Sequence, residues 1–234
     1  MRSFGFATLA VAGFLGMTQV ASAADMRLPT KAPMMVAAHS WTGLYIGAHI
    51  GAGWGTSGWV DGPPLLTNLG SHGTSGIVGG GQVGFNWQTG ALVLGVEAEG
   101  SWGNLSGNHI DLFASNLQTN VRNIYAISGR AGWAMNQVLL FAKAGGAWAT
   151  FDYVDTFGAG ILNGASSGTR SGYLLGLGAE YAFNRNWSAK VEYNYLNFGT
   201  QTLPFSGGVG GAFTQTISEY IHVLKFGVNY RFGM

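Results

Sequence analysis

The residues of this chain that could do chemistry are charged side chains that recur at alternating positions along most of its length. Four are carboxylates and six are cations: Glu97, Glu99, Glu180, Glu192, Arg122, Arg130, Lys143, Lys190, Lys225 and Arg231. Such groups must pair if they are buried together, because a buried charge without a partner costs several kcal/mol. The set therefore allows two interpretations, a structural ion-pair network or the lining of a gated conduit for small solutes.

The histidines give little support for a catalytic or metal site. A catalytic His222 would need a serine partner. The plausible partner position two residues further along the strand holds Leu224 instead. His49 is predicted to hydrogen-bond on the same face as the charges, and His72 and His109 are predicted to lie in separate loops without metal-ligand spacing. We therefore predict no catalytic residues, no metal ligands and no cofactor.

The elements that position the charges are eight segments of about a dozen residues between Trp41 and Phe232, each alternating apolar with small or polar residues. Within each segment the charges lie on the face opposite the Leu, Ile, Val and Trp residues. This period of two predicts an all-β fold, an eight-stranded antiparallel up-and-down transmembrane β-barrel whose lumen holds the charges.

Composition excludes two other classes. Only 9% of the residues are charged, whereas a soluble domain usually carries about a quarter, which disfavours a soluble β-sandwich. Past the N-terminus no apolar run approaches the roughly 18 to 20 residues that a membrane-spanning helix needs. Strands closed on themselves are the remaining way to satisfy every backbone group in hydrocarbon.

The N-terminus predicts export. Residues 1-23 combine a basic start, an apolar stretch and the ending Ala21-Ser22-Ala23, which is typical of a cleaved signal peptide. Residues 24-40 are predicted to be a periplasmic lead-in, and residues 41-232 the barrel. Loss of Arg2 would leave ten basic and ten acidic residues, so the neutral mature chain offers no footprint for nucleic acid.

Aromatic residues predict where the membrane lies, because Trp and Tyr prefer its two interfaces. Five are predicted at the external girdle, namely Trp54, Trp102, Trp148, Tyr173 and Tyr220. Four are predicted at the periplasmic girdle, namely Trp87, Trp133, Trp187 and Tyr230. Long external loops, such as Asp152 to Arg170, should alternate with short periplasmic turns.

Pairing between neighbouring strands predicts partners inside the lumen. Glu97 or Glu99 should face cations on the fourth strand, chiefly Arg130. Glu192 should reach Lys225 or Arg231 on the closing strand. Inward glycines, among them Gly47, Gly51, Gly84, Gly95 and Gly178, would leave room for water, whereas Leu139 and Phe141 are apolar exceptions on the inward face.

Three stretches carry a family resemblance: Trp41-Thr42-Gly43-Leu44-Tyr45-Ile46-Gly47, the junction Ala23-Ala24-Asp25, and Asn229-Tyr230-Arg231-Phe232. In their order they resemble the small outer-membrane β-barrel family, which includes OmpA-type barrels and the immunogenic outer-membrane proteins of Gram-negative α-proteobacteria. Family members commonly end on an aromatic residue that the barrel-assembly machinery reads, but here Gly233 and Met234 follow Phe232.

Together these features predict a structural, surface-exposed protein of the cell outer membrane that supports envelope integrity. A narrow porin-like channel is the alternative, and a lipid-modifying outer-membrane enzyme is a lesser one. The predicted partners are outer-membrane lipid and lipopolysaccharide, with the barrel-assembly machinery during biogenesis. Because the chain ends with the barrel, no peptidoglycan-binding domain is expected.

Overall fold

A closed ring of eight antiparallel strands makes up residues 39–158 and 160–232, the part of the chain that the computed structural model describes. The predicted signal peptide and most of the lead-in lie outside these residues. The strands are β1 (Gly43–Asp61), β2 (Asn68–Thr89), β3 (Leu92–Ile110), β4 (Ser115–Met135), β5 (Val138–Phe157), β6 (Ile161–Ala182), β7 (Trp187–Gly207) and β8 (Phe213–Arg231).

Each strand pairs with its neighbour in sequence, and β8 closes the ring against β1 from Tyr45↔Arg231 to Asp61↔Gln215. The predicted up-and-down barrel is confirmed. Tight turns set the register on the periplasmic side, where Gly90 and Asn136 adopt positive φ angles of 60° and 56°. Two-residue turns of this kind match the twist of a hairpin. No helix in the described ranges is long and apolar enough to cross a membrane.

The strands are longer than the alternation predicted, and the external loops are correspondingly shorter. The external connections comprise residues 62–67, 111–114, 158–160 and 208–212. The prediction of a loop from Asp152 to Arg170 is wrong, because β5 runs to Phe157 and β6 starts at Ile161. Ser-, Thr- and Gly-rich positions resembled a loop, but they form the water-facing side of a continuing strand.

The polarity of the two faces reverses along each strand, as β8 illustrates. On the periplasmic side of Tyr220, Phe226 faces outward and Lys225 is buried inside. Beyond Tyr220 the outward position is Thr216, and the buried inward one is Ile217. An outward face must be apolar in lipid and polar in water, so this reversal marks the external edge of the membrane.

The aromatic residues agree with that edge. The nine predicted girdle residues lie on the outward face, where Trp54, Trp102 and Trp133 are 44%, 55% and 59% exposed. On β8 the girdle residues Tyr220 and Tyr230 are ten residues apart. Ten residues at about 3.4 Å each, tilted by about 40°, span about 26 Å, which matches the apolar band of an outer-membrane barrel.

Candidate functional site

The periplasmic end of the barrel is closed by an apolar cluster around Trp41. The chain before β1 folds into the mouth, where the Trp41 indole is fully buried and donates to the Asn136 carbonyl oxygen at 3.0 Å. Leu139 and Phe141 pack in the same cluster. These two inward apolar residues, which looked like exceptions to the alternation, are therefore part of a plug.

Above this plug lies a network of buried ion pairs centred on Lys143. Its ammonium nitrogen lies 3.0 Å from a Glu97 oxygen, 2.8 Å from Glu99 and 2.7 Å from Glu192. The Lys143 side chain is completely buried. One cation thus joins carboxylates from β3 and β7 across the lumen.

Three further cations complete the neutralisation. Lys190 lies 3.1 Å from both Glu97 and Glu192, and Lys225 lies 2.7 Å from Glu99 and 3.0 Å from Glu192. The Arg130 guanidinium pairs with Glu180 at 3.0 Å. Among the described residues this core holds four carboxylates and four cations: Glu97, Glu99, Glu180 and Glu192 with Arg130, Lys143, Lys190 and Lys225. Burial of so many charges is tolerable because each has several partners.

The two predicted lumen pairings differ in their outcome. Glu97 or Glu99 was predicted to face chiefly Arg130, but Arg130 lies 3.9 Å from Glu97 and only 3.0 Å from Glu180. Lys143 is nearer to both β3 carboxylates, at 3.0 and 2.8 Å, so the prediction of Arg130 as their chief partner is wrong. The register places Ser128 opposite Glu97, and long side chains in a narrow lumen reach across it. The pair of Glu192 with Lys225 is present, because these residues are direct cross-strand partners.

Two of the ten predicted lumen charges lie apart from this core. Arg231 lies at the periplasmic mouth, 3.9 Å from Glu180 and with its guanidinium 4.7 Å from the centre of the Trp41 ring. Arg122 lies outside the barrel, where its exposed side chain pairs with Asp152, so its prediction as a lumen residue is wrong. A β-bulge between Val121 and Asn123 inserts one residue into β4 and reverses the inward parity there.

Neighbouring side chains occupy the space in front of the inward glycines. A methyl group at Gly84 would overlap the Tyr45 hydroxyl, and one at Gly47 would overlap the Asn229 and Gln82 amides. These positions were predicted to leave space for water. Instead, they are small because long polar side chains cross in front of them.

Neutral polar side chains extend the network. The Tyr45 hydroxyl donates to Glu97 at 2.8 Å, and Asn229 donates to Glu180 at 2.9 Å. His49 contacts Gln82 at 2.6 Å and Ser101 at 2.8 Å, which confirms it as a hydrogen-bonding residue of the lumen. Tyr45 and Asn229 were not predicted as members of the network, although their inward orientation in the alternating pattern could have identified them.

Carboxylate oxygens of three residues lie within 4.8 Å of one another, which is close enough to ligate a metal ion. These residues are Glu97, Glu99 and Glu192. Lys143 contacts all three of them. An ammonium group therefore already holds the position that a cation would take. The carboxylates are better suited to an internal salt-bridge network than to a metal centre.

The external half of the lumen holds a large apolar core, together with buried polar side chains such as Asp155, Arg170 and Glu219. Its core includes Trp59, Leu105, Phe151, Phe205 and Ile217, all at most 1% exposed. The core adjoins the ion-pair network and continues into the strands beyond the membrane. A hydrated path for ions would have to displace these side chains.

Arg170 compensates for a break in the wall near this apolar core. The ladder between β6 and β7 is interrupted between Ala165 and Tyr173. Opposite the break, the buried Arg170 guanidinium donates to the carbonyl oxygens of Phe198, Gly199 and Ile217 at 2.9 to 3.3 Å. These bonds satisfy carbonyls near a stretch that lacks strand pairing.

His72 and His109, predicted in separate loops, instead lie on the adjacent strands β2 and β3 with their Nδ1 atoms 2.8 Å apart. His109 Nε2 lies 2.8 Å from the Leu69 carbonyl oxygen and must donate to it, so a neutral His109 accepts at Nδ1 from His72. Burial and the neighbouring His109 lower the pKa of His72 to about 4. His72 is therefore neutral at pH 7, and the two histidines form a hydrogen-bonded strand contact beyond the membrane.

His222 lies on the outward face among aromatic rings. Its Nδ1 atom is 2.6 Å from the Tyr193 hydroxyl, and its ring stacks at 15° to that of Trp54. A serine or carboxylate partner is not among its hydrogen bonds in the described residues. This environment agrees with the predicted interfacial histidine.

Sequence comparison places these features in a family. The family described as outer membrane protein beta-barrel domain matches residues 7–232. The 31 kDa outer-membrane immunogenic protein of Brucella melitensis biotype 1 is 32% identical over 219 residues, covering 87% of this chain and 88% of that protein. The 22 kDa outer membrane protein of Rhizobium leguminosarum bv. viciae is 29% identical over 201 residues, covering 83% and 80%.

Structural comparison supports the same fold. The crystal structure of the outer membrane protease OmpT from Escherichia coli superposes with a TM-score of 0.52 at 10% sequence identity, covering 81% of this chain and 97% of that one. At this identity the likeness extends to the fold alone. The sequence matches, the closed barrel and the lipid-facing band show that the chain belongs to the outer membrane protein beta-barrel domain family and is a protein of the cell outer membrane.

Proposed function

We propose that this protein is a structural, surface-exposed component of the outer membrane that supports envelope integrity. Outer-membrane lipid and lipopolysaccharide would surround its apolar band, and the barrel-assembly machinery would insert it. The observation that carries the proposal is the filled interior. The Trp41 plug, the network centred on Lys143 and the external apolar core succeed one another along the axis.

Such an interior favours rigidity over transport. Ion pairs that join opposite walls tie β3, β5 and β7 together through Lys143 and its three carboxylates. Conduction requires binding sites that a mobile ion can enter and leave. Each carboxylate of the network is instead already paired with a lysine or arginine side chain. We therefore rank the structural role above the porin-like channel.

We also propose that the chain is not an enzyme. The named relatives are outer-membrane proteins whose names describe no catalysis. The outward His222 pairs with Tyr193, and its surroundings are aromatic. A lipid-modifying hydrolase would need an acidic or serine partner at this interface.

Deletion of the gene tests the envelope role. We expect deletion cells to become more sensitive to detergent and to release more outer-membrane vesicles, with wild-type protein restoring both. The matched variant Lys143→Met, produced at the same surface level, should restore them only in part, because it loosens the interior. Unchanged detergent sensitivity and vesicle release in the deletion strain would contradict the proposal.

A further inference from the structure

Acidic side chains from three separate parts of the wall gather at the external mouth of the barrel. Asp61 ends β1, Asp155 lies near the external end of β5, and Asp111 begins the connection between β3 and β4. Asp61 is the cross-strand partner of Gln215 on β8, and the Gln215 amide nitrogen lies 3.4 Å from Oδ2 of Asp155. Asp61 and Asp111 are half-buried, so the group is open to the external medium.

These three carboxylates have no counter-ion within residues 39–158 and 160–232, because none of them forms an ion pair there. Burial raises the pKa of Asp61 and of Asp155, and the negative charge of Asp111 raises both further. The carboxylates around Lys143 differ from them, since each is paired with a cationic side chain. A cation from solution would relieve the repulsion at the mouth, because a nearby positive charge favours the ionised carboxylate.

Two buried oxygens in this group lack a hydrogen-bond partner. Asp155 and Gln215 are each 2% exposed, and neither Oδ1 of Asp155 nor Oε1 of Gln215 has a partner among the described residues. The other oxygen of Asp155 accepts a hydrogen bond from Asn163 at 2.9 Å, which holds the carboxylate in place. A buried acceptor without a partner is costly and often marks the position of a ligand. Because the surroundings are negative, a cation fits these oxygens best.

The ligand atoms indicate which cation would bind. Carboxylate and amide oxygens suit the hard cations Ca²⁺ and Mg²⁺. In the described part of the chain, the oxygens of the three aspartates are less closely gathered than those of Glu97, Glu99 and Glu192, which lie within 4.8 Å of one another. Ca²⁺ tolerates such spacing, because it takes about six to eight oxygen ligands, water included, in a flexible geometry. Mg²⁺ requires a near-ideal octahedron with shorter bonds.

We propose that the external mouth of the barrel binds one Ca²⁺ ion between Asp155, Gln215 and Asp61. Oδ1 of Asp155 and Oε1 of Gln215 supply the buried ligands, the Asp61 carboxylate closes the site toward the medium, and water completes the coordination. Asp111 adds negative charge beside the ion. No metal ligand was predicted from the sequence, because these side chains are far apart along the chain and meet only through closure of the barrel.

Calorimetric titration of CaCl₂ into the refolded full chain tests this proposal. The protein is held in a zwitterionic detergent after treatment with EGTA and removal of the chelator. Wild type should bind Ca²⁺ saturably, one ion per chain, and Mg²⁺ about tenfold more weakly or less tightly still. Asp155→Asn should weaken Ca²⁺ binding by about tenfold or more, and Gln215→Met, which changes no charge, should weaken it too. The matched control is Asp152→Asn on the same strand, where the carboxylate pairs with Arg122, and it should bind Ca²⁺ like wild type.

Urea titration followed by heat-modifiable gel mobility checks that every variant is folded and provides a second readout. Ca²⁺ should raise the urea midpoint of wild type and of Asp152→Asn, but not that of Asp155→Asn, because an ion bound only to the folded state stabilises it. Absence of saturable Ca²⁺ binding by folded wild type would overturn the proposal, and so would an unchanged affinity in Asp155→Asn. An equal loss in Asp152→Asn would overturn it in favour of a general charge effect. Equal affinity for Mg²⁺ would overturn the assignment to Ca²⁺.

Discussion

Arginine in place of Val96 is expected to destabilise the barrel by about 2 to 4 kcal/mol in a bilayer, the cost of a cation on the lipid face near the midplane. Val96 is 60% exposed on the outward face of β3, between the two girdles. Leu177→Arg on β6, where the leucine is 62% exposed, should behave in the same way. Urea titration of the protein folded in lipid vesicles measures the free energy of unfolding.

The matched control lies on the same strand and face. Ser106 is outward and exposed but lies beyond the girdle residue Trp102, where the surface meets water. Ser106→Arg should therefore change the free energy of unfolding by less than about 0.5 kcal/mol. Equal effects at Val96 and Ser106 would mean that the membrane edge is misplaced.

Loss of the Lys143 ammonium should be the most costly change inside the lumen. Lys143→Met leaves Glu97, Glu99 and Glu192 with fewer cations, and breaking a buried ion pair costs about 3 to 5 kcal/mol. Glu192→Gln in the same chain should recover part of this loss, because it removes one stranded charge. A double-mutant cycle, read by the same urea titration, yields the coupling free energy.

A second cycle calibrates the first. Glu97 and Arg130 are 3.9 Å apart, whereas Lys143 and Glu192 are 2.7 Å apart. The coupling between Glu97→Gln and Arg130→Met should therefore be the smaller by about 1 kcal/mol or more. Strictly additive effects in both cycles would point to a hydrated lumen and favour the channel.

Most of the membrane-embedded part of the barrel could be predicted from the sequence. Alternation with a period of two placed nine of the ten predicted charges inside and put Leu177 and Val96 in lipid, because one face meets hydrocarbon and the other does not. Arg122 is the exception, because it lies outside the barrel. Its orientation depends on a one-residue bulge, and nothing in the local pattern of β4 marks an inserted residue.

The external half of the barrel was harder to predict because its polarity reverses. Thr216 faces water and Ile217 faces the core there, so a search for apolar residues on the lipid side finds no strand. The residues of these segments still alternate in polarity. This alternation is the one expected of a strand whose apolar side chains face the barrel interior and whose polar side chains face water. Loop-like composition hid this signal.

Partners inside the lumen could be predicted only in part. Glu192 and Lys225 are direct neighbours across β7 and β8, so strand order suffices to pair them. The contacts of Lys143 with Glu97 and Glu192 cross the barrel instead. They depend on lumen width and on where the side chains end, and neither follows from parity.

Planar-bilayer conductance of the refolded protein is the most direct test of a sealed, structural barrel. The Trp41 plug, the Lys143 network and the apolar core around Phe151 should hold conductance at the background of the bare membrane. The same should hold across a range of salt concentrations, because side chains fill the described part of the barrel interior. A steady conductance well above background, carried by folded wild-type protein, would contradict the account and establish the channel.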